Sequence, residues 1–155
     1  MGERTRILVV DDDESIRKTL AAILEDEGYA VETVDNGKDA IAKTNVTFYN
    51  LALIDIRLLD MAGTELLGKI RATVPKMRKI IITGYPTVHN AIEAVNRNAD
   101  AYLLKPFDMP NVLNTIREQL KKQEEEKRFS QDKVTAFIET RVKEFETPAV
   151  KARSK

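Results

Sequence analysis

Ile7-Leu8-Val9-Val10-Asp11-Asp12-Asp13 is the stretch that decides how this chain reads. The apolar run is too short for a helix, is rich in β-branched residues and does not alternate, so it reads as a strand buried on both faces. Strands of that kind belong in parallel sheets, whose ligands collect at the carboxyl ends of the strands. Carboxylates clustered there repel one another by about 1 kcal/mol per pair, and by more when partly desolvated. A cation should offset that cost, and hard oxygen ligands suit Mg²⁺ or Mn²⁺. Asp13 and Glu14 have a simpler role, capping the next helix and favouring its positive end. That role does not account for Asp11 and Asp12.

Outward from this junction, strand and helix patterns alternate through residue 120. Short apolar runs recur at Ala30–Val34, Leu51–Ile54, Ile80–Thr83 and Ala101–Leu104. Between them, Ile16, Leu20, Ile23 and Leu24 share one helical face that Gly28 terminates. Ala40 and Ile41 turn inward on a second helix over 36–46. Leu66, Leu67 and Ile70 do so on a third over 63–73 that ends before Pro75. Val88, Ile92 and Val95 are expected inward on a helix over 86–96, and Val112, Leu113, Ile116 and Leu120 on a last one from Met109. Five strands alternating with five helices predict an α/β, doubly wound parallel sheet. The second strand alternates, as an edge strand does, which fits the flavodoxin-like order 2-1-3-4-5.

Composition bounds the function. The 155 residues, 43% of them hydrophobic, can bury a core, so global disorder is excluded. Lack of cysteine rules out disulfides, thiolate metal sites and cysteine nucleophiles, and fits a reducing cytosol. No apolar run approaches the ~20 residues of a membrane span, and Met1-Gly2-Glu3-Arg4 has no signal-peptide hydrophobic region, so a cytoplasmic location without membrane contact is expected. Zero net charge hides an acidic first part and a basic tail, neither basic enough for direct nucleic-acid binding.

The chemistry gathers at strand ends. Leu53-Ile54-Asp55 delivers a carboxylate, Ile82-Thr83-Gly84 a hydroxyl and Leu103-Leu104-Lys105-Pro106 an ammonium. If these strands are neighbours of the first, one edge collects Asp11, Asp12, Asp55, Thr83 and Lys105. A carboxylate-held metal would neutralise phosphoryl oxygens, and Asp55 lies where it could form an acyl phosphate. Lys105 supplies a point positive charge, and Thr83 a hydrogen bond if it turns inward. Phosphoryl transfer rests mostly on positioning and charge, so no histidine base is required. His89, the chain's one histidine, reads as structural or neutral.

These segments, with Ala101-Tyr102-Leu103-Leu104-Lys105-Pro106-Phe107, resemble the receiver domain of two-component response regulators, in order and spacing, over about residues 5–122. The resemblance implies that Asp55 accepts a phosphoryl group from a sensor histidine kinase or a phosphotransfer protein. It implies that Mg²⁺, with Mn²⁺ able to substitute, is held by Asp12, Asp55 and the backbone carbonyl of Arg57, with Asp11 acting through water. Thr83 and Tyr102 would form the switch pair, Lys105 would bridge phosphoryl group and acidic cluster, and Lys105–Pro106 would be a cis peptide. The output face would be the helix 86–96, the strand 101–104 and the helix 109–126. Leu59 stands where the family usually has proline, so a less rigid loop before Gly63 is expected. Large Arg57 and Tyr85 are expected to screen the aspartyl phosphate from water and lengthen its life.

Residues 123–155 form a second segment, a charged and then amphipathic helical extension with a frayed end. Val134, Phe137, Ile138, Val142 and Phe145 share a face, and Thr147-Pro148 is expected to end the helix. It could dock back, pair two copies of the chain, bind another protein, or link to the effector of a longer transcriptional regulator. A Mg²⁺-dependent phosphohydrolase is the enzymatic rival, but it expects a second aspartate two residues after the nucleophile, where Arg57 stands. A receiver fold that works only as a scaffold is the third reading.

Overall fold

Ile7, Leu8, Val9 and Val10 are all fully buried because their strand lies between two others. The computed structural model describes residues 4–84 and 87–154. Strands β1 (Arg6–Val10), β2 (Ala30–Val34), β3 (Leu51–Asp55), β4 (Arg78–Thr83) and β5 (Ala101–Leu104) alternate with helices α1 (Glu14–Asp26), α2 (Gly37–Val46), α3 (Gly63–Lys69), α4 (Val88–Asn96) and α5 (Met109–Ser154). All pairings are parallel, in the order β2-β1-β3-β4-β5 expected from the sequence. Central β1, β3 and β4 are buried almost throughout, while the edge strands β2 and β5 are partly exposed.

Side chains alternate across the sheet with the period of two that a strand imposes. Leu8, Val10, Ala52, Ile54 and Ile81 pack with Ala40, Leu66, Leu67, Ile70 and Ala94 on one face. Ile7, Val9, Leu51, Leu53, Ile80, Ile82 and Leu103 pack with Leu20, Leu24, Val112 and Ile116 on the other. The register sets Val10 beside Ile54, Asp55 beside Ile82 and Thr83 beside Leu104, so the carboxyl ends of four strands reach one edge together.

Local signals explain most helix ends. Asp13 caps α1, its carboxylate accepting the Ile16 N–H at 3.2 Å. Gly28 follows that helix at φ +97°, a conformation that costs glycine little. Helix α3 stops at Lys69 rather than running to 73. Ile70 turns extended into the core, and the Thr73 hydroxyl donates to the Pro75 carbonyl at 2.8 Å and accepts the Met77 N–H at 3.0 Å, satisfying a turn instead of a helix.

Two further expectations are corrected. Val88, Ile92 and Val95 do not face the core: they are 77%, 55% and 71% exposed, and α4 packs inward through Ala94. The 3.6-residue stripe is present, but periodicity identifies a face without saying what covers it. Nor does Thr147-Pro148 end the last helix, since α5 continues to Ser154. A proline removes one helical hydrogen bond and crowds the preceding turn, which a helix can absorb without terminating. The chain divides into two units, Met1–Gln123 and Glu124–Lys155. In the second, Phe129, Val134, Phe137, Ile138, Val142 and Phe145 are exposed along the helix. Among the described residues no helix is long and apolar enough to cross a membrane.

Candidate functional site

Because β1 and β3 are adjacent and end in register, Asp11, Asp12 and Asp55 come together, each offering a carboxylate oxygen within 4.8 Å of the others. Asp11 is fully buried and Asp55 nearly so, whereas Asp12 is exposed. The Asp11 carboxylate accepts the Asp13 N–H at 2.9 Å, and Arg17 donates to the Asp11 carbonyl at 2.8 Å, fixing the loop between β1 and α1. Lys105, carried just past β5, reaches over the edge. Its Nζ lies 2.9 Å from Asp11 Oδ2 and 3.5 Å from Asp55 Oδ2.

One ammonium does not balance three carboxylates. Burial pushes the Asp55 carboxyl up to about 6, the Asp11 charge adds to the rise, and Lys105 opposes it. Burial works to lower Lys105, but its hydrogen bond to Asp11 and the charges of Asp11 and Asp55 outweigh that and raise it. The Asp55 Oδ1 contact with the Arg57 N–H is long, at 3.4 Å, so the Asp55 carboxylate is loosely held as well as desolvated. Oxygen donors at this spacing suit a hard divalent cation, and the three aspartates could hold one.

Thr83 is buried at the end of β4, and its carbonyl accepts the Lys105 N–H at 2.7 Å. Tyr102 lies on β5, its ring half-buried against the core. Its hydroxyl is buried with no hydrogen-bond partner among the described residues, and burial raises its pKa. The Lys105–Pro106 peptide is cis. Arg57 is exposed on the loop after β3. Tyr85 lies outside the described residues. His89 is exposed on α4, 3.7 Å from Glu93 one turn on.

Sequence reasoning missed how the loop between β3 and α3 is held. Asp60 accepts the Gly37 and Lys38 N–H groups at 2.8 and 2.9 Å, tying the loop to the first turn of α2. Gly63 donates to the Ile56 carbonyl at 2.8 Å, and a Cβ there would collide with the Asp55 carbonyl, so only glycine fits. Leu59, which stands where the family usually has proline, is 79% exposed.

A parallel five-stranded sheet with an acidic triad and a lysine at its carboxyl edge defines a receiver of the phosphoacceptor type. The chain belongs to the response regulator receiver domain family, whose model matches residues 7–117. It is 40% identical over 119 residues to the transcriptional regulatory protein ZraR of Klebsiella oxytoca, a match covering 77% of this chain and 27% of that protein. The chain thus spans about a quarter of the length of such relatives. A CheY-like response regulator receiver domain protein from Methanospirillum hungatei superposes with a TM-score of 0.77 at 45% identity, covering 80% of this chain and 99% of that one. The beryllofluoride-activated NtrC4 receiver domain, solved as a dimer, does so at 0.72 with 34% identity, covering 77% and 98%.

Proposed function

We propose that Asp55 is the phosphoacceptor, taking a phosphoryl group from a histidine kinase or a phosphotransfer protein in a Mg²⁺-dependent reaction. The observation that carries this is a desolvated carboxylate on the last residue of a strand, facing a buried aspartate and one bridging lysine. Asp55 forms a new O–P bond as the N–P bond of the donor phosphohistidine breaks, and the electron pair leaves with the imidazole. Asp12, Asp55 and the Arg57 carbonyl would hold Mg²⁺ directly, with Asp11 acting through water. When bound, that ion neutralises phosphoryl oxygens and polarises phosphorus. Lys105 needs only to shift from the carboxylate to a phosphoryl oxygen, keeping a charge-assisted contact throughout.

The phosphoryl group adds nearly two negative charges and three acceptor oxygens. Thr83 donates to one of them, and Tyr102 moves into the space that Thr83 leaves. The unpartnered Tyr102 hydroxyl supports this, since a buried donor without an acceptor gains by moving. The change reaches α4, β5 and α5, where Val88, Ile92, Val95 and Leu104 are exposed. That face passes the signal to a downstream protein or to a second copy of the chain. Transcriptional control by a longer regulator is the activity that relatives such as ZraR suggest. The chain is a switch rather than an enzyme, and it acts in the cytoplasm.

Intact mass after incubation with Mg²⁺ and acetyl phosphate tests the proposal. One added phosphoryl group, lost in Asp55→Asn, is expected. No adduct on the wild type would overturn it in favour of a scaffold, and repeated turnover of small phosphoesters would favour a phosphohydrolase.

A further inference from the structure

We propose that Asp60 is a positioning residue for the divalent cation: by clamping the loop between β3 and α3 onto α2, it holds the Arg57 carbonyl at the acidic site. This rests on the reading of Asp12, Asp55 and the Arg57 carbonyl as the cation's direct ligands, with Asp11 acting through water. A carboxylate can find a cation by rotating its side chain, whereas a backbone carbonyl is placed only by its loop. Mg²⁺ requires near-ideal octahedral geometry at about 2.0–2.1 Å, so small displacements of one ligand are felt.

The loop spans residues 57–62 and is closed at its base. Gly63 donates to the Ile56 carbonyl at 2.8 Å, Leu58 to the Met61 carbonyl at 3.2 Å, and Arg57 bridges to Ala62. Leu58 and Met61 pack against the core. A polar tether to a second element is Asp60, both of whose oxygens are used, on Gly37 at 2.8 Å and Lys38 at 2.9 Å. Those N–H groups belong to the first turn of a helix, where they have no intrahelical acceptor and a negative charge is favoured. They also hold the Asp60 carboxyl below the usual range.

Helix α2 already has a local cap from the residue before it, since Asn36 accepts the Asp39 N–H at 2.7 Å. The Asp60 contact, made from more than twenty residues away, therefore adds something that local capping does not supply. What it adds is the position of the loop. With leucine at position 59, where a proline ring would stiffen the backbone, this clamp adds to the contacts at the base of the loop an anchor on α2.

The test is a Mg²⁺ titration of the unphosphorylated protein followed by amide NMR shifts, on the wild type, Asp60→Ala, Asp60→Asn and Asn36→Ala. Asp60→Ala should weaken Mg²⁺ binding about tenfold, the usual scale for loss of a residue that orients a metal ligand. It should also speed amide exchange at Leu58. Asp60→Asn keeps one acceptor oxygen and should recover part of the affinity. Asn36→Ala damages the same helix end without touching the loop, and should stay within about twofold of the wild type. Wild-type affinity in Asp60→Ala, or equal loss in Asn36→Ala, would reduce Asp60 to a helix cap and overturn the inference alone. A wild type that shifts nowhere with Mg²⁺ would overturn the cation site itself, and this inference with it.

Discussion

The two ends of the sheet carry mirrored charge imbalances, and only one of them gathers groups that could hold a ligand. At the carboxyl edge three aspartates meet one lysine. At the amino edge Lys76, Arg78 and Lys79 meet one carboxylate, Asp100. There, Asp100 receives Arg78 at 3.2 Å and the Lys79 N–H at 2.9 Å, while the surplus charge of Lys76 sits on a half-exposed side chain. Gln119 donates to the Asp100 carbonyl at 3.2 Å, and Gln123 donates to the Asn50 and Lys76 carbonyls at 2.8 Å each. That edge is sewn shut by hydrogen bonds from α5. Arg78 and Lys79 are buried there as well, and desolvation lowers the Lys79 pKa. At the carboxyl edge the buried surplus, on Asp11 and Asp55, consists of carboxylates gathered closely enough with Asp12 to hold a cation. At the amino edge the buried charge lies under a packed helix, whereas carboxylates gathered within reach of one another mark where a cation is to arrive.

Neutralising one aspartate at each edge should therefore act in opposite directions. Asp100→Ala takes the carboxylate from the buried Arg78 and should cost about 3 kcal/mol in chemical denaturation, the scale for breaking a buried pair from one side. Asp55→Asn, measured with a chelator present at pH 7, should stabilise the protein by roughly 2 kcal/mol, because burial and Asp11 penalise the ionised form. A loss of stability in Asp55→Asn would break the comparison.

The pH profile checks the sign. The folded-state pKa of Asp55 is raised from 3.8 to about 6, so the folded protein holds this proton more tightly than the unfolded chain. Its stabilising contribution is fully present below pH 3.8 and is lost as pH rises through about 6. The metal-free wild type should lose stability across that window relative to Asp55→Asn, whose side chain does not titrate. Gln123→Ala should follow with a smaller cost, about 1 kcal/mol, because the Lys76 carbonyl loses the Gln123 donor while the Asn50 carbonyl keeps the Arg78 N–H.

Much of the carboxyl edge was legible because each of its side chains directly follows an apolar run, and a parallel sheet aligns the ends of such runs. Asp11, Asp55, Thr83 and Lys105 announce themselves this way. The amino edge was harder to read, since its partners precede their strands and come from a distant helix. One signal was present: Gln119 and Gln123 continue the helical spacing of Val112 and Ile116 with polar residues that turn out to be buried. Asp60 gave none, because its partners lie over twenty residues away and no spacing rule links a loop aspartate to another helix's first turn. The end of α5 was misread by treating proline as an absolute stop.

The smallest expected effect concerns α4, where sequence and structure part most clearly. Ile92 and Ala94 lie two residues apart on that helix, and the structure buries the smaller of them. A bulky apolar residue left 55% exposed contributes little to folding, so Ile92→Ser should change thermal stability by less than about 0.5 kcal/mol. A loss above about 1 kcal/mol would mean that the stripe faces the core after all. Near-neutral stability has a functional corollary: Val88, Ile92 and Val95 form an apolar row that folding does not explain. If that row serves the output proposed above, Ile92→Ser should still gain one phosphoryl group from acetyl phosphate at the wild-type rate. Any phosphorylation-dependent change in solution mass by light scattering should then be weakened. Normal phosphorylation with unchanged assembly would detach the row from the signal and leave β5 and α5 to carry it.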